Sequence, residues 1–404
     1  MQNQNVLNER HARIKDETAL NEKKSALDPG RVPRLGVLLL LLFFSCTQAY
    51  NLFFVMKFDS SAAQEPRNEE ATETDLGKGD LHNISTGYKL SGEEIHRAHS
   101  EKDFFLASKI IMSLPIELSS YANATDRPRK TTEKPVFWHI PRAGGGSIVK
   151  KMASQCLKLV QASEVGTVVN PQASVIKELL VITDVFSGAS FINVDTTLDK
   201  GIKRAKELGL GKSNLVDLIV VSNIYEAGTL FDPLHKGRLF TIMRHPIHRA
   251  VSVYYAMKDA AKSDVKIKTF LKGMSLEQYA ASKIVENNWM TRFLSNKLGG
   301  ELTSNEEALA REVLAQKFII GLLSEKQQSI DRFIRYFGWT AYDPGAEACI
   351  DEIVGWKWLS RASSHPGVKE NGRIWRLLGE QNAFDMRLYN YAEELFRAQS
   401  FLFD

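Results

Sequence analysis

From residue 35 to residue 56 the chain reads LGVLLLLLFFSCTQAYNLFFVM, without one Asp, Glu, Lys, Arg or His. A helix of about 20 such residues crosses about 30 Å of hydrocarbon, so this run divides the chain into a short piece before a membrane and a long piece after it. A cleaved signal peptide is the competing reading. Its leader of residues 1–34 would be long, however, and the apolar run exceeds the roughly 7–15 residues of a signal core. Lys23, Lys24, Arg31 and Arg34 precede the run, whereas Lys57 after it is soon followed by Asp59, Glu65, Glu69 and Glu70. By the positive-inside rule, residues 1–34 are a cytosolic tail, residues 35–56 a transmembrane helix in the lipid bilayer, and the remainder lies on the far side.

Two Asn-x-Ser/Thr triplets, at Asn83 and Asn123, fall on that far side and agree with the orientation. Residues 57–134 are polar and weakly periodic, and read as a stem; within them GEEIHRAHSEKDFFLASKIIMSL reads as a solvated amphipathic helix. The whole chain of 404 residues is 44% hydrophobic and 25% charged, which suits one large domain with appendages. A net charge of +4 is too small to argue for nucleic acid as a partner. Cys46, Cys156 and Cys349 stand too far apart for a zinc knuckle or a redox pair, and no metal is expected. Cys156 and Cys349 have two readings: a disulfide formed in an oxidising compartment, or, for Cys156, a small buried residue on the apolar face of its helix.

Residues 135–404 alternate apolar runs with helical patterns, the sequence form of an α/β domain with a mostly parallel central sheet flanked by helices. Strands are predicted at 136–139, 178–186, 190–195, 217–222, 238–243 and 318–323. Helices are predicted at 147–160, with Ile148, Met152, Cys156 and Val160 on its apolar face, and at 382–403. Ser304 with Glu307 reads as a capping box ahead of a further helix.

Two stretches carry chemistry. In VFWHIPRAGGGSIVKKM, residues 136–152, a strand runs through a glycine turn into a helix, which gathers backbone N–H groups and a helix dipole at one point suited to an anion. Gly144, Gly145 and Gly146 would let phosphate oxygens approach where a Cβ collides; Ser147 offers a hydroxyl, and Arg142 a full charge. The alternative is a turn that merely packs a strand on a helix. Neither the G-x-x-x-x-G-K-[ST] nor the G-x-G-x-x-G pattern is present, which disfavours a plain nucleotide triphosphatase. In RLFTIMRHPIHRAVSVYYAMK, residues 238–258, Arg244 ends a strand, Pro246 opens a helix, and Ser252 shares a face with Arg249. An arginine and a hydroxyl at a strand's carboxyl end make a compact second phosphate site, or else a surface arginine beside a core helix.

Together these stretches resemble the membrane-bound carbohydrate sulfotransferases. In that family F-x-H-I-P-K-T-G-G-T-S holds the 5′-phosphosulfate of 3′-phosphoadenosine 5′-phosphosulfate, and R-D-P-x-x-R-x-x-S-x-Y holds its 3′-phosphate. FWHIPRAGGGS and RHPIHRAVSVY stand in those places, with Arg244 and Ser252 eight residues apart as in the family. NNWMTRFL, FIIGLLSEKQQSIDRFIRYFG and NAFDMRLYNYAEELF echo later family segments in order, so the resemblance spans about residues 134–400.

The resemblance implies a P-loop-like sulfotransferase fold in the Golgi lumen, with a glycan or proteoglycan as acceptor and no metal. The donor would be held by Arg142, Ala143, Gly144, Gly145, Gly146, Ser147, Arg244 and Ser252. Self-association into a homo-oligomer is left open. Departures are Arg142 for the usual lysine, Gly146 for a hydroxyl residue and His245 for an acid. Ser222 and Asn223 stand where relatives with a histidine base carry it, so the expectation for the base falls on Glu226, then His235. The competing classes are a non-catalytic protein that keeps this fold and binds a glycan or nucleotide, and a secretory-pathway kinase or glycosyltransferase. The latter would show a metal-holding acidic element that is absent here.

Overall fold

The computed structural model describes residues 113–126, 128, 132–339, 345–355 and 366–403. Seven strands form one sheet: β1 (Lys134–Trp138), β2 (Gln161–Ala162), β3 (Val181–Thr183), β4 (Ser190–Ile192), β5 (Leu218–Val221), β6 (Gly237–Met243) and β7 (Phe318–Leu322). Their order is β3-β4-β2-β5-β1-β6-β7. Every neighbouring pair is parallel except β3 with β4. LIVV in β5, GRLFTIM in β6 and FIIGL in β7 are buried along their whole length, as strands covered on both faces must be. From β1 the chain leaves to one side for β2, while β5 is followed by β6 on the other side of β1. The carboxyl end of β1 is therefore a switch point, where open α/β sheets leave a crevice.

Ten helices matter below: α1 (Gly145–Lys151), α2 (Glu164–Val169), α3 (Ile224–Gly228), α4 (Pro246–Ala260), α5 (Trp289–Ser295), α6 (Ser304–Lys317), α7 (Lys326–Phe337), α8 (Ala346–Val354), α9 (Arg373–Gln381) and α10 (Ala383–Ala398). Successive residues of β1 point to opposite faces and seed two cores. On one face Trp138 stacks on Trp289 of α5 at 5.7 Å, above Leu314 of α6 and Leu388 of α10. On the other, Phe137 and Phe240 lie 5.2 Å apart with Ile148 of α1 and Phe333 of α7.

Several sequence expectations shift. Strands 178–186 and 190–195 shorten to β3 and β4, because the ladder ends at Asn193: its N–H still donates to the Leu180 carbonyl at 3.1 Å, but its side-chain Oδ1 in place of its carbonyl accepts from Leu180 N at 2.9 Å, and its Nδ2 donates to the Ala173 and Glu178 carbonyls. β2, too short to show a period, was not foreseen. The helix expected over 147–160 starts earlier, at Gly145, behind an N-cap at Gly144 with φ +90°, and passes into a π-helical turn, Met152–Cys156. The capping box is Thr303 with Glu306, one residue earlier than expected, which frees Glu307 to pair with Arg311 and Arg387. The closing helix ends at Ala398 and tightens into a 3-10 turn, Gln399–Leu402.

Part of the stretch assigned to the stem belongs to the fold. Leu118 and Tyr121 are fully buried, and Tyr121 bridges to Gly237. Cys156 and Cys349 are joined in a disulfide that ties the turn after α1 to α8. The apolar run at 35–56 and Asn83 lie outside the described residues. Among the described residues no helix is long and apolar enough to cross a membrane.

Candidate functional site

The loop from β1 to α1 crosses the carboxyl end of the sheet, and three arginines close on it. Arg142 takes the left-handed region at φ +64°, a conformation a non-glycine residue adopts at a cost. Arg244, directly after β6, donates from Nη1 to the Arg142 carbonyl at 3.0 Å. Arg142 in turn donates from Nε to Ser252 Oγ on α4 at 3.1 Å. Arg249, one turn before Ser252, donates to the Pro141 carbonyl at 3.3 Å and pairs with Glu286 at 2.6 Å, its guanidinium lying over the Trp289 ring.

Glu286 is the one carboxylate at ion-pair distance from the trio among the described residues. Burial lowers the pKa of Arg142 from the ordinary arginine value, with Asp259 acting the other way. Burial, then the charges of Arg142 and Arg249, bring Arg244 down to about 10. Arg142 and Arg244 thus form a half-buried positive centre, held in shape by hydrogen bonds and with no carboxylate at ion-pair distance from either among the described residues.

The glycines serve the packing of this loop. A Cβ on Gly145 would stand 2.4 Å from Phe137 Cζ, one on Gly144 2.7 Å from Leu323 Cδ1, and one on Gly146 3.0 Å from His139 Nε2. What a side chain would displace is therefore the wall of the loop. Ala143 is buried and its N–H closes a turn onto the Ile140 carbonyl at 3.2 Å, so that donor is not open to an anion. Ser147 lies in the first turn of α1.

A second group of ionisable side chains lies beside the loop, at the carboxyl ends of β1, β2 and β4. His139 follows β1 and its ring faces Gly146. Glu164, at the start of α2, is bonded through Oε1 to Lys150 of α1, and its Oε2 is buried without a hydrogen-bond partner. Burial pushes Glu164 up, yet the charge and hydrogen bond of Lys150 bring it net below the usual carboxylate value. Burial and Lys150 lower His139 to about 4, so it is neutral at pH 7. Asp195, after β4, is raised by burial, with its bonds to Thr197 opposing.

The two residues expected to supply a base fall at opposite ends of the sheet. Glu226 lies in the first turn of α3, behind the N-cap Asn223, just past the carboxyl end of β5. His235 pairs with Asp232 at 3.0 Å, two residues before β6 begins. It is therefore at the amino edge of the sheet, because α3 has carried the chain back across it. Arg142, Arg244 and Ser252 are brought together, with Ser252 bonded to Arg142 and Arg244 to the Arg142 carbonyl.

The sequence did not point to Lys150, Glu164 or Glu286, which are isolated polar letters until the strands align their ends, and it showed His139 only as one letter of the first motif. The later echoes brace the core. Asp385 accepts from Met290 N, Thr291 N and Thr291 Oγ1, while Asn288 Oδ1 accepts from Phe384 N and Asp385 N. Each helix end thus caps the other, which fixes Trp289 under Arg249. An open depression of about 590 Å³ beside Val265, Phe270 and Lys272 lies past the far end of α4 from Arg244.

No model of a known protein family matches the chain, and no curated protein matches it.

Proposed function

We propose that this domain has a sulfotransferase-type fold, binds 3′-phosphoadenosine 5′-phosphosulfate, and transfers its sulfuryl group to a hydroxyl of a glycan in the Golgi lumen. The observation that carries the reading is the pair Arg142 and Arg244: two half-buried guanidinium groups at the switch point, with no carboxylate at ion-pair distance among the described residues. A charge kept out of water without a partner is costly, and an anionic ligand removes that cost. Ser252 Oγ and the Arg142 carbonyl hold the two planar forks in place, which suits recognition of sulfate and phosphate oxygens.

The nucleotide, when bound, supplies the activated sulfuryl group. The rest is done by side chains of this chain. Arg142 faces the charge that builds on the departing oxygen. Glu164 takes the acceptor's hydroxyl proton: Lys150 keeps it ionised at neutral pH, and its Oε2 has no bond to lose. That assignment replaces the expectation of Glu226 or His235. Such a base is worth about 10² to 10⁴ in rate.

The test is transfer of labelled sulfate from the nucleotide to a panel of glycans by the chain from residue 57 onward. Glu164→Gln is expected to lower transfer by about 10² to 10⁴ while the affinity for 3′-phosphoadenosine 5′-phosphate stays within a few-fold. Nucleotide binding without transfer to any glycan would instead favour the non-catalytic reading.

A further inference from the structure

We infer that Asn123 carries an N-linked oligosaccharide, placed at the edge of the sheet opposite the arginines. Asn123-Ala124-Thr125 is an acceptor triplet by sequence, and such triplets are common enough that the fold must decide whether one can be used. Here Asn123 and Thr125 are both exposed, in a tight turn closed by Asp126 N on the Asn123 carbonyl at 3.1 Å. The residue between them is the anchor. Ala124 is buried; its N–H donates to the Gln316 carbonyl at 2.8 Å and its carbonyl accepts from Tyr336 Oη at 2.9 Å.

The Asn123 side chain is used on one side only. Its Oδ1 accepts from the buried Lys317 Nζ at 2.8 Å, and Nδ2 makes no hydrogen bond among the described residues. Glycosylation uses that free side. Nδ2 forms a bond to the anomeric carbon of a sugar carried on a lipid diphosphate; the carbon–oxygen bond to the diphosphate breaks, the diphosphate leaves with the electron pair, and the amide gives up one proton. Oδ1 is untouched, so the contact with Lys317 survives the modification.

Two further observations fit. Ala122 N donates to the Gly237 carbonyl at 2.9 Å, which puts Asn123 beside the first residue of β6, whereas Arg244 follows the last. A glycan there leaves the crevice open. The Cys156–Cys349 disulfide belongs to an oxidising compartment, the side of the membrane on which such glycans are added, and says so independently of the charges that flank residues 35–56.

The experiment is enzymatic removal of N-glycans from the full chain made in eukaryotic cells. Asn83→Gln removes the other triplet. In that background Thr125→Ala destroys the Asn123 triplet without touching the amide that Lys317 needs, and the Thr125 side chain has no hydrogen bond among the described residues. Asn83→Gln alone is expected to keep a glycosidase-sensitive shift, and the double variant to lose it. An Asn83→Gln chain with no shift, or a double variant that still shifts, overturns the assignment. Neither result depends on nucleotide binding or sulfuryl transfer.

Discussion

Replacing Arg244 by alanine separates a ligand-binding arginine from a structural one. In the free protein Arg244 is held at a pKa of about 10 against an ordinary value of 12.5, first by burial and then by Arg142 and Arg249. A drop of that size corresponds to about 3 kcal/mol against the charged form. The hydrogen bond from Arg244 to the Arg142 carbonyl, made by a charged donor, offsets about 1.5–3 kcal/mol of it. Removing the side chain therefore relieves about as much as it takes away, and the melting temperature of the free domain should stay close to that of wild type.

Ligand binding, by contrast, should weaken. Loss of a charge-assisted contact of about 1.5–3 kcal/mol weakens 3′-phosphoadenosine 5′-phosphate by about 10- to 150-fold. Adenosine 5′-phosphate, without the 3′-phosphate, should lose little. Calorimetric titration of both nucleotides into wild type and variant, with melts of the free proteins, reads both effects. An equal loss for the two nucleotides, or a variant that melts well below wild type, would refute the reasoning and make Arg244 a structural residue.

Gly145→Val, whose first added atom would stand 2.4 Å from the Phe137 ring, should destabilise the domain by about 1–3 kcal/mol or more by overpacking; a melt indistinguishable from wild type would show that the loop yields. Opening the Cys156–Cys349 bond, which spans 193 residues, should cost about 2–5 kcal/mol in denaturant melts, and an unchanged midpoint after reduction would contradict this. His139 and His245 are both lowered from 6.5 to about 4, His139 by burial and then Lys150, His245 by burial and then His248. The stability they contribute is complete above pH 6.5 and is lost as pH falls through about 4, because the unfolded chain takes up protons that the fold refuses. Each should account for about 1–3 kcal/mol over that range. Melting temperatures that stay level as the pH is lowered would exclude it. Ser252→Ala, which frees the Arg142 Nε, should weaken nucleotide binding by about 1 kcal/mol, roughly five-fold, visible in the same titrations.

The sequence by itself determined the α/β class. Short runs such as LIVV and FIIGL, rich in β-branched residues, read as strands buried on both faces, and parallel neighbours follow from the helices between them. It also brought Arg142, Arg244 and Ser252 into view, because a residue just past an apolar strand and one on the next helix turn are local features. Helix starts were off by a residue or two wherever a cap had an equally good neighbour, as with Thr303 and Ser304.

Only the tertiary structure decided the rest. That Arg244 bonds to the Arg142 carbonyl, and that His139, Lys150 and Glu164 gather beside Gly146, depends on a strand order in which β1 lies between β5 and β6. The order rests on side-chain packing between segments far apart in the chain, and no local pattern encodes it. The same holds for what surrounds the glycines. Three in a row read as room for a ligand, yet their neighbours are Phe137, Leu323 and His139, and Leu323 comes from the far side of the sequence to meet Gly144. His235 entered as an ionisable residue close in sequence to Ser222 and Asn223, in the segment ahead of the strand that Arg244 follows. A strand has two ends, and it is the direction of β6 that sets His235 at one and Arg244 at the other.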